Sequence, residues 1–162
     1  MIFWVIKMKK IIVLSILAVM IFCLCSCSGG GITIEDADKA AFALVTSLEF
    51  DDDMAETEND ATTLKKYGLD ENSGVVNVSR YVGSGATADE VAVFECSSAE
   101  GVAKVKEAID SRIKYLHDGY ASYGPEEVPK IDSANLLEYG NFVVFCISKT
   151  PEKTAEILSG LK

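Results

Sequence analysis

The sequence predicts an α+β domain, with a four-stranded, mostly antiparallel sheet in two hairpins and one long helix across a face. Three observations lead there. Two pairs of β-branched and aromatic runs, 75–82 with 91–96 and 134–139 with 142–148, are each joined by a glycine-bearing turn. Between the pairs, Val102, Val105, Ile109, Ile113, Leu116 and Tyr120 recur at helical spacing. Helical patterns also precede the first hairpin and follow the second, giving the order α-β-β-α-β-β-α.

The chain begins differently. Lys7, Lys9 and Lys10 form a positive segment, and Ile11 to Leu24 is apolar throughout except for Ser15. That run is shorter than the ~20 residues a spanning helix needs and has the build of a secretory signal. Met8-Lys9-Lys10 has the look of a natural start. Leu24-Cys25-Ser26-Cys27 then places a branched apolar residue at −3, a small one at −1, and a cysteine after the cut. This resembles the lipobox of bacterial prolipoproteins, which implies residues 1–26 as signal peptide and a diacylglycerol on the Cys27 thiol. Acyl chains contribute about 0.8 kcal/mol per buried CH₂, and two of them anchor stably. An uncleaved signal anchor is the alternative. Cys23, Cys25 and Cys27 have the spacing of a soft-metal site, but cleavage would remove two of them. No metal and no cofactor is expected.

Residues 1–26 carry three of the 15 basic residues and none of the 25 acids, so the remainder has a net charge of −13. Such a surface repels nucleic acid, which is excluded as a partner.

Ser28-Gly29-Gly30-Gly31 has tether composition, so residues 27–32 read as lipidated cysteine and linker and 33–162 as one domain. Thr33 is the expected cap of a first helix, with Ile34, Ala37, Ala41, Val45 and Leu48 on its apolar stripe. Residues 49–60 hold a dense acidic run that lacks the EF-hand register and reads as a loop, with weak cation binding as the alternative. A short helix over 61–67 is stopped by Gly68, with Leu69 packing back. Gly83-Ser84-Gly85 is the first hairpin turn; it lacks the lysine and the context of a phosphate loop. Ser97 with Glu100 reads as a capping box for the long helix, which Gly124-Pro125 ends. Gly140-Asn141 turns the second hairpin. The run Phe142 to Ile147 is apolar on both sides, as in a strand covered on both faces. Thr150 caps and Pro151 opens a last helix with Ala155, Leu158 and Leu161 facing in.

Four stretches together resemble a family of small bacterial lipoproteins, domain of unknown function 4358. They are the lipobox, Ser84 to Phe94, the helix around Val105 to Arg112 leading to Tyr123-x-Pro125-Glu126, and Gly140-Asn141-Phe142-Val143. The resemblance implies placement on the extracytoplasmic face of the cell membrane and brings no activity with it.

Residues with chemistry are few. His117, the single histidine, reads as a partly exposed helical residue, and no nucleophile elbow or paired-histidine motif is present. The carboxylate pairs Asp89-Glu90 and Glu126-Glu127 are what so acidic a chain produces by chance. Glu90, Arg112 and Tyr123 are the candidates for a shared polar site, against ordinary helix-to-sheet bridging. Cys96 and Cys146 lie in strands, where buried free thiols compete with a disulfide. No catalytic set emerges. The sequence therefore points to a non-enzymatic, membrane-anchored module that binds a protein or envelope partner. A small-ligand or cation-binding module is the alternative, and a carboxylate-dependent enzyme a further one.

Overall fold

The computed structural model describes residues 32–57 and 60–161. The lipobox, Cys27 and residues 28–31 of the tether lie outside them. Residues from Ile32 onward form one compact unit.

Five strands build one antiparallel sheet: β1 (Ala55–Glu56), β2 (Val75–Val82), β3 (Glu90–Cys96), β4 (Asn135–Tyr139) and β5 (Phe142–Ile147), in the order β1-β2-β3-β5-β4. The expected four strands gain β1, which comes from the acidic stretch read as a loop. Two residues without β-branching are too short to show any periodicity, and β1 exists only by pairing with Tyr81 and Val82. Five α-helices are described: α1 (Ala37–Ser47), α2 (Asp60–Lys66), α3 (Ala99–Tyr123), α4 (Val128–Asp132) and α5 (Thr154–Ser159). Of these, α4 was not anticipated, because five residues following Pro125 hold little more than one helical turn.

Strand alternation divides the core into two. On one face Ala92, Phe94, Val143, Phe145 and Ile147 pack under Val102, Val105 and Ile109 of α3. On the other, Val91, Val93, Val144 and Cys146 meet Ala37, Ala40, Ala41 and Leu44 of α1 and Leu158 of α5. All six residues of β5 are buried, as expected of a strand covered on both faces. The long helix accordingly has counterparts across the sheet, not an open second face.

Local signals place most ends of elements. Gly68 takes φ +69 and Leu69 N–H donates to the Leu64 carbonyl at 2.9 Å, closing α2 as its sequence suggested. Gly140, at φ +61, turns β4 into β5. Three caps differ from expectation. Asp36, not Thr33, caps α1, accepting from Lys39 N–H at 2.8 Å. Ser98 caps α3 by accepting from Gly101 N–H, while Ser97 donates its hydroxyl to the Gly74 carbonyl. Thr150 does stand at the N-cap of the turn Pro151–Lys153 that leads into α5, but its side chain, instead of capping, accepts from Glu49 N–H and joins two segments 101 residues apart. In α5 the buried partner of Leu158 is Thr154, and Ala155 is exposed.

Cys96 and Cys146 are free, buried thiols. Strand pairing puts Cys146 opposite Val91 and Cys96 opposite Val75, so they sit on opposite faces and the disulfide is ruled out. Burial pushes both thiols up to about 11, keeping them protonated and unreactive near neutral pH.

Candidate functional site

Period-two alternation carries Glu90 to the sheet face beneath α3, at the start of β3. On β2, Arg80 pairs with Ala92, which makes it a diagonal neighbour of Glu90. From the helix above, Arg112 reaches down beside the apolar stripe; Tyr67, just beyond α2, closes the group. Glu90 Oε1 accepts from Arg80 Nε at 2.6 Å and from the Tyr67 hydroxyl at 2.7 Å. Its Oε2 accepts from Arg112 Nε at 3.2 Å and a second guanidinium nitrogen at 2.9 Å. Both guanidinium carbons lie 6.0 Å from the Tyr67 ring centroid. The Tyr67 ring in turn meets Phe94 edge-on at 5.0 Å.

Only 2% of the Glu90 side chain is exposed. Burial pushes its carboxyl up, but the charges of Arg80 and Arg112 outweigh that, and the group stays below the usual carboxylate range. Burial and then the Glu90 charge raise the Tyr67 phenol well above its ordinary value. A carboxylate held ionised, with both oxygens occupied, has neither a proton to give nor a lone site to take one. The cluster fixes how α2, α3 and the first hairpin fit together.

The neighbouring Asp89 belongs to a second group. Its Oδ2 accepts from the backbone N–H groups of Asp51 and Asp52 at 2.8 and 3.2 Å and from the Thr87 hydroxyl at 3.1 Å. Its Oδ1 accepts from Lys130 at 2.7 Å; the same ammonium donates to Asp51 and Glu127, each at 2.8 Å. Three donors meet three carboxylates, so Lys130 has no hydrogen-bonding capacity left. Burial pulls its pKa down, yet these carboxylates raise it above the ordinary lysine value. Glu127 also accepts from Ala88 N–H at 2.7 Å, and the Tyr120 hydroxyl donates to the Thr87 carbonyl. Loop 83–89 is thereby pinned at both flanks, which gives Ser84 to Phe94 a structural reading.

Of the three candidate residues, the structure brings together Glu90 and Arg112. Tyr123 is elsewhere: it lies eleven residues past Arg112, roughly 16 Å further along the helix axis at 1.5 Å per residue, and is 65% exposed. Arg80 and Tyr67 take its place. Arg80 had a signal, since alternation from Val78 makes it an arginine facing the core. Tyr67 had none, being 23 residues from Glu90 with no periodic tie to it.

The acidic stretch is partly occupied. Asp51 bridges Lys130 and Lys149, and Asp52 accepts from Ser84 N–H at 2.7 Å. Among the described residues no group of three His, Cys, Asp or Glu could hold a metal ion. His117 is half-exposed, 3.7 Å from both Asp118 and Asp132. Among the described residues no helix is long and apolar enough to cross a membrane.

Besides a cleft of about 500 Å³ between α3 and Glu138, Gly140 and Asn141 and one of about 420 Å³ between Ile34, Tyr139 and Phe142, two further open features are found on the α3 side. A cleft of about 580 Å³ runs between loop 68–73 and the first half of α3, with Tyr67, Leu69, Asp70, Ser73, Glu107 and Ala108 in its walls. Further along, a notch of about 350 Å³ lies between Tyr115 and Tyr123, over Gly119 and Tyr120.

Residues 47–148 match the family described as Domain of unknown function (DUF4358). That is more than half of the chain, which therefore belongs to this family. No curated protein and no solved structure matches it.

Proposed function

We propose that this member of the DUF4358 family is a lipid-anchored extracytoplasmic module that docks a protein or envelope partner through the outer face of α3, without catalysing a reaction. The observation that carries the docking surface is the pair Tyr115 and Tyr123, 71% and 65% exposed, each four residues from Gly119. Exposed aromatic side chains that frame a pocket are what interfaces use as anchors, since they bury much area for few rotors. Gly119 adds to this. A Cβ there would meet nothing within 4 Å, so packing does not call for glycine. In a helix interior it costs about 0.5–1 kcal/mol relative to alanine, and it leaves the space between the two rings open. The carboxylates of Glu90 and Asp89 are, by contrast, locked in the buried clusters.

The anchor is inferred from the charged, apolar and lipobox segments that end at Cys27. Two linked measurements test the proposal. Cys27→Ala should shift the chain from the membrane pellet to the soluble fraction and abolish incorporation of labelled fatty acid. A protein recovered with wild-type chain from detergent-solubilised membranes should be lost with Tyr115→Ala/Tyr123→Ala. An unlabelled wild-type chain would overturn the anchor, and a partner retained by the double variant would overturn the docking surface.

A further inference from the structure

The cleft beside the docking face has a composition of its own. Its floor is apolar, formed by Leu69, Ala108 and the buried Tyr67. Its charged groups are two carboxylates and one lysine, beside Asn72, Ser73 and Ser111. Glu107 has no ion-pair partner among the described residues, and Asp70 uses one oxygen to accept from Asn72 N–H at 2.9 Å. The one cation in the walls, Lys104, is paired to Glu100 at 3.0 Å. Ser73 lines the same cleft, is only 4% exposed, and its Oγ has no hydrogen-bond partner. A buried hydroxyl left unpaired is costly; Ser79 and Ser148 carry such hydroxyls too, and Ser73 differs from them in lining an open cleft.

The walls are also preformed. Gly68 and Gly74, at φ +69 and +85, fix the two ends of the loop, and a Cβ on Gly74 would come within 3.2 Å of Gly101 Cα. α3 therefore lies close against this loop at its first turn.

We propose that the cleft binds a small linear organic ammonium compound, with the ammonium held by Glu107, Asp70 and Ser73 Oγ and its methylenes along Leu69 and Ala108. An ammonium has three donors and no acceptor, which suits the carboxylates of Glu107 and Asp70 and the Ser73 hydroxyl; the Asn72 amide, also in the walls, can accept through its oxygen. The apolar floor suits a carbon chain, and a bare metal ion would leave that floor unused. A domain with net charge −13 outside residues 1–26 also concentrates cations near its surface. This site is independent of the tyrosine notch and of the lipid anchor.

Calorimetric titration of the full chain in detergent with 1,5-diaminopentane, at physiological ionic strength, tests the site. The expected result is saturable 1:1 binding, weakened at least tenfold by Glu107→Gln and several-fold by Ser73→Ala. Asp60→Asn, on α2 outside the cleft walls, should leave it unchanged, and 1-pentanol, which lacks the charge, should not bind. Circular dichroism should show all three variants folded. Binding that fails to saturate, or that Glu107→Gln and Asp60→Asn weaken equally, would reduce the effect to bulk attraction and overturn the proposal.

Discussion

The two faces of the sheet are stabilised by different means. Beneath α1 and α5 the apolar core is Ala37, Ala40, Ala41, Leu44 and Leu158 against valines and Cys146, with a buried Asp89, paired to Lys130, just ahead of β3. Beneath α3 the apolar core surrounds Glu90, Arg80, Arg112 and the Tyr67 hydroxyl. Small side chains let α1 lie close to the strands, and such packing tolerates any partner of the right volume. An ion cluster accepts only one arrangement, because each unmatched charge would be left in a poorly solvating interior. The apolar face therefore contributes cohesion, and the polar face specifies how α3 is seated. The cleft and the notch lie on the α3 side, where the seating is most tightly defined, whereas Ile32, Ile34 and Phe142 line a further cleft on the α1 side.

This contrast can be broken at either face. Glu90→Gln leaves two guanidinium groups without their carboxylate and should cost about 3–5 kcal/mol, the usual penalty for breaking a buried pair. Urea unfolding measures it, and a loss below about 1 kcal/mol would remove the specifying role. On the other face Leu44→Ala should cost about 3 kcal/mol through the lost transfer energy and the cavity left behind.

Acid separates the two variants, because only one of them alters a titrating group. The Glu90 carboxyl lies below its ordinary value of 4.5 in the folded chain. Its contribution is thus complete above that pH and is lost as pH falls below it, through the folded-state value. Asp51, lowered chiefly by its hydrogen bonds to Lys130 and Lys149, loses its contribution in the same direction. Wild type and Leu44→Ala should lose melting temperature in parallel between pH 5 and pH 3, as roughly equal shifts per pH step, whereas Glu90→Gln should fall less steeply. Equal slopes in all three would contradict the assignment of Glu90.

Gly119→Ala should have the smallest effect, raising stability by up to about 1 kcal/mol, since helix propensity improves and nothing lies in the way. If it destabilises instead, Gly119 has a packing role and the open notch loses its argument.

What the sequence discloses follows the range of each signal. The turns at Gly68 and Gly140, the helical stripe from Val102 to Tyr120 and the doubly covered β5 are set within a few residues, and periodicity or glycine chemistry reveals them. β1 has only two residues and no pattern of its own. The ion clusters join Tyr67 to Glu90 across 23 residues, Arg112 to Glu90 across 22 and Lys130 to Asp51 across 79. Nothing in local spacing couples such positions. They meet only once β2 and β3 are in register and α3 has settled on the sheet. Tyr123 shares a helix with Arg112, and the length of that helix separates it from Glu90.

If a partner docks on the α3 side, as proposed, the α1 side should make no such contact. Phe42 offers a control, because it is also a large exposed apolar residue, 59% exposed, but on α1. Photo-crosslinking amino acids placed at 115, 123 and 42 in the full chain, irradiated in intact cells, make the comparison directly. The account predicts one discrete adduct from positions 115 and 123 and none from 42. Adducts of equal yield from position 42, or none from 115 and 123, would contradict it.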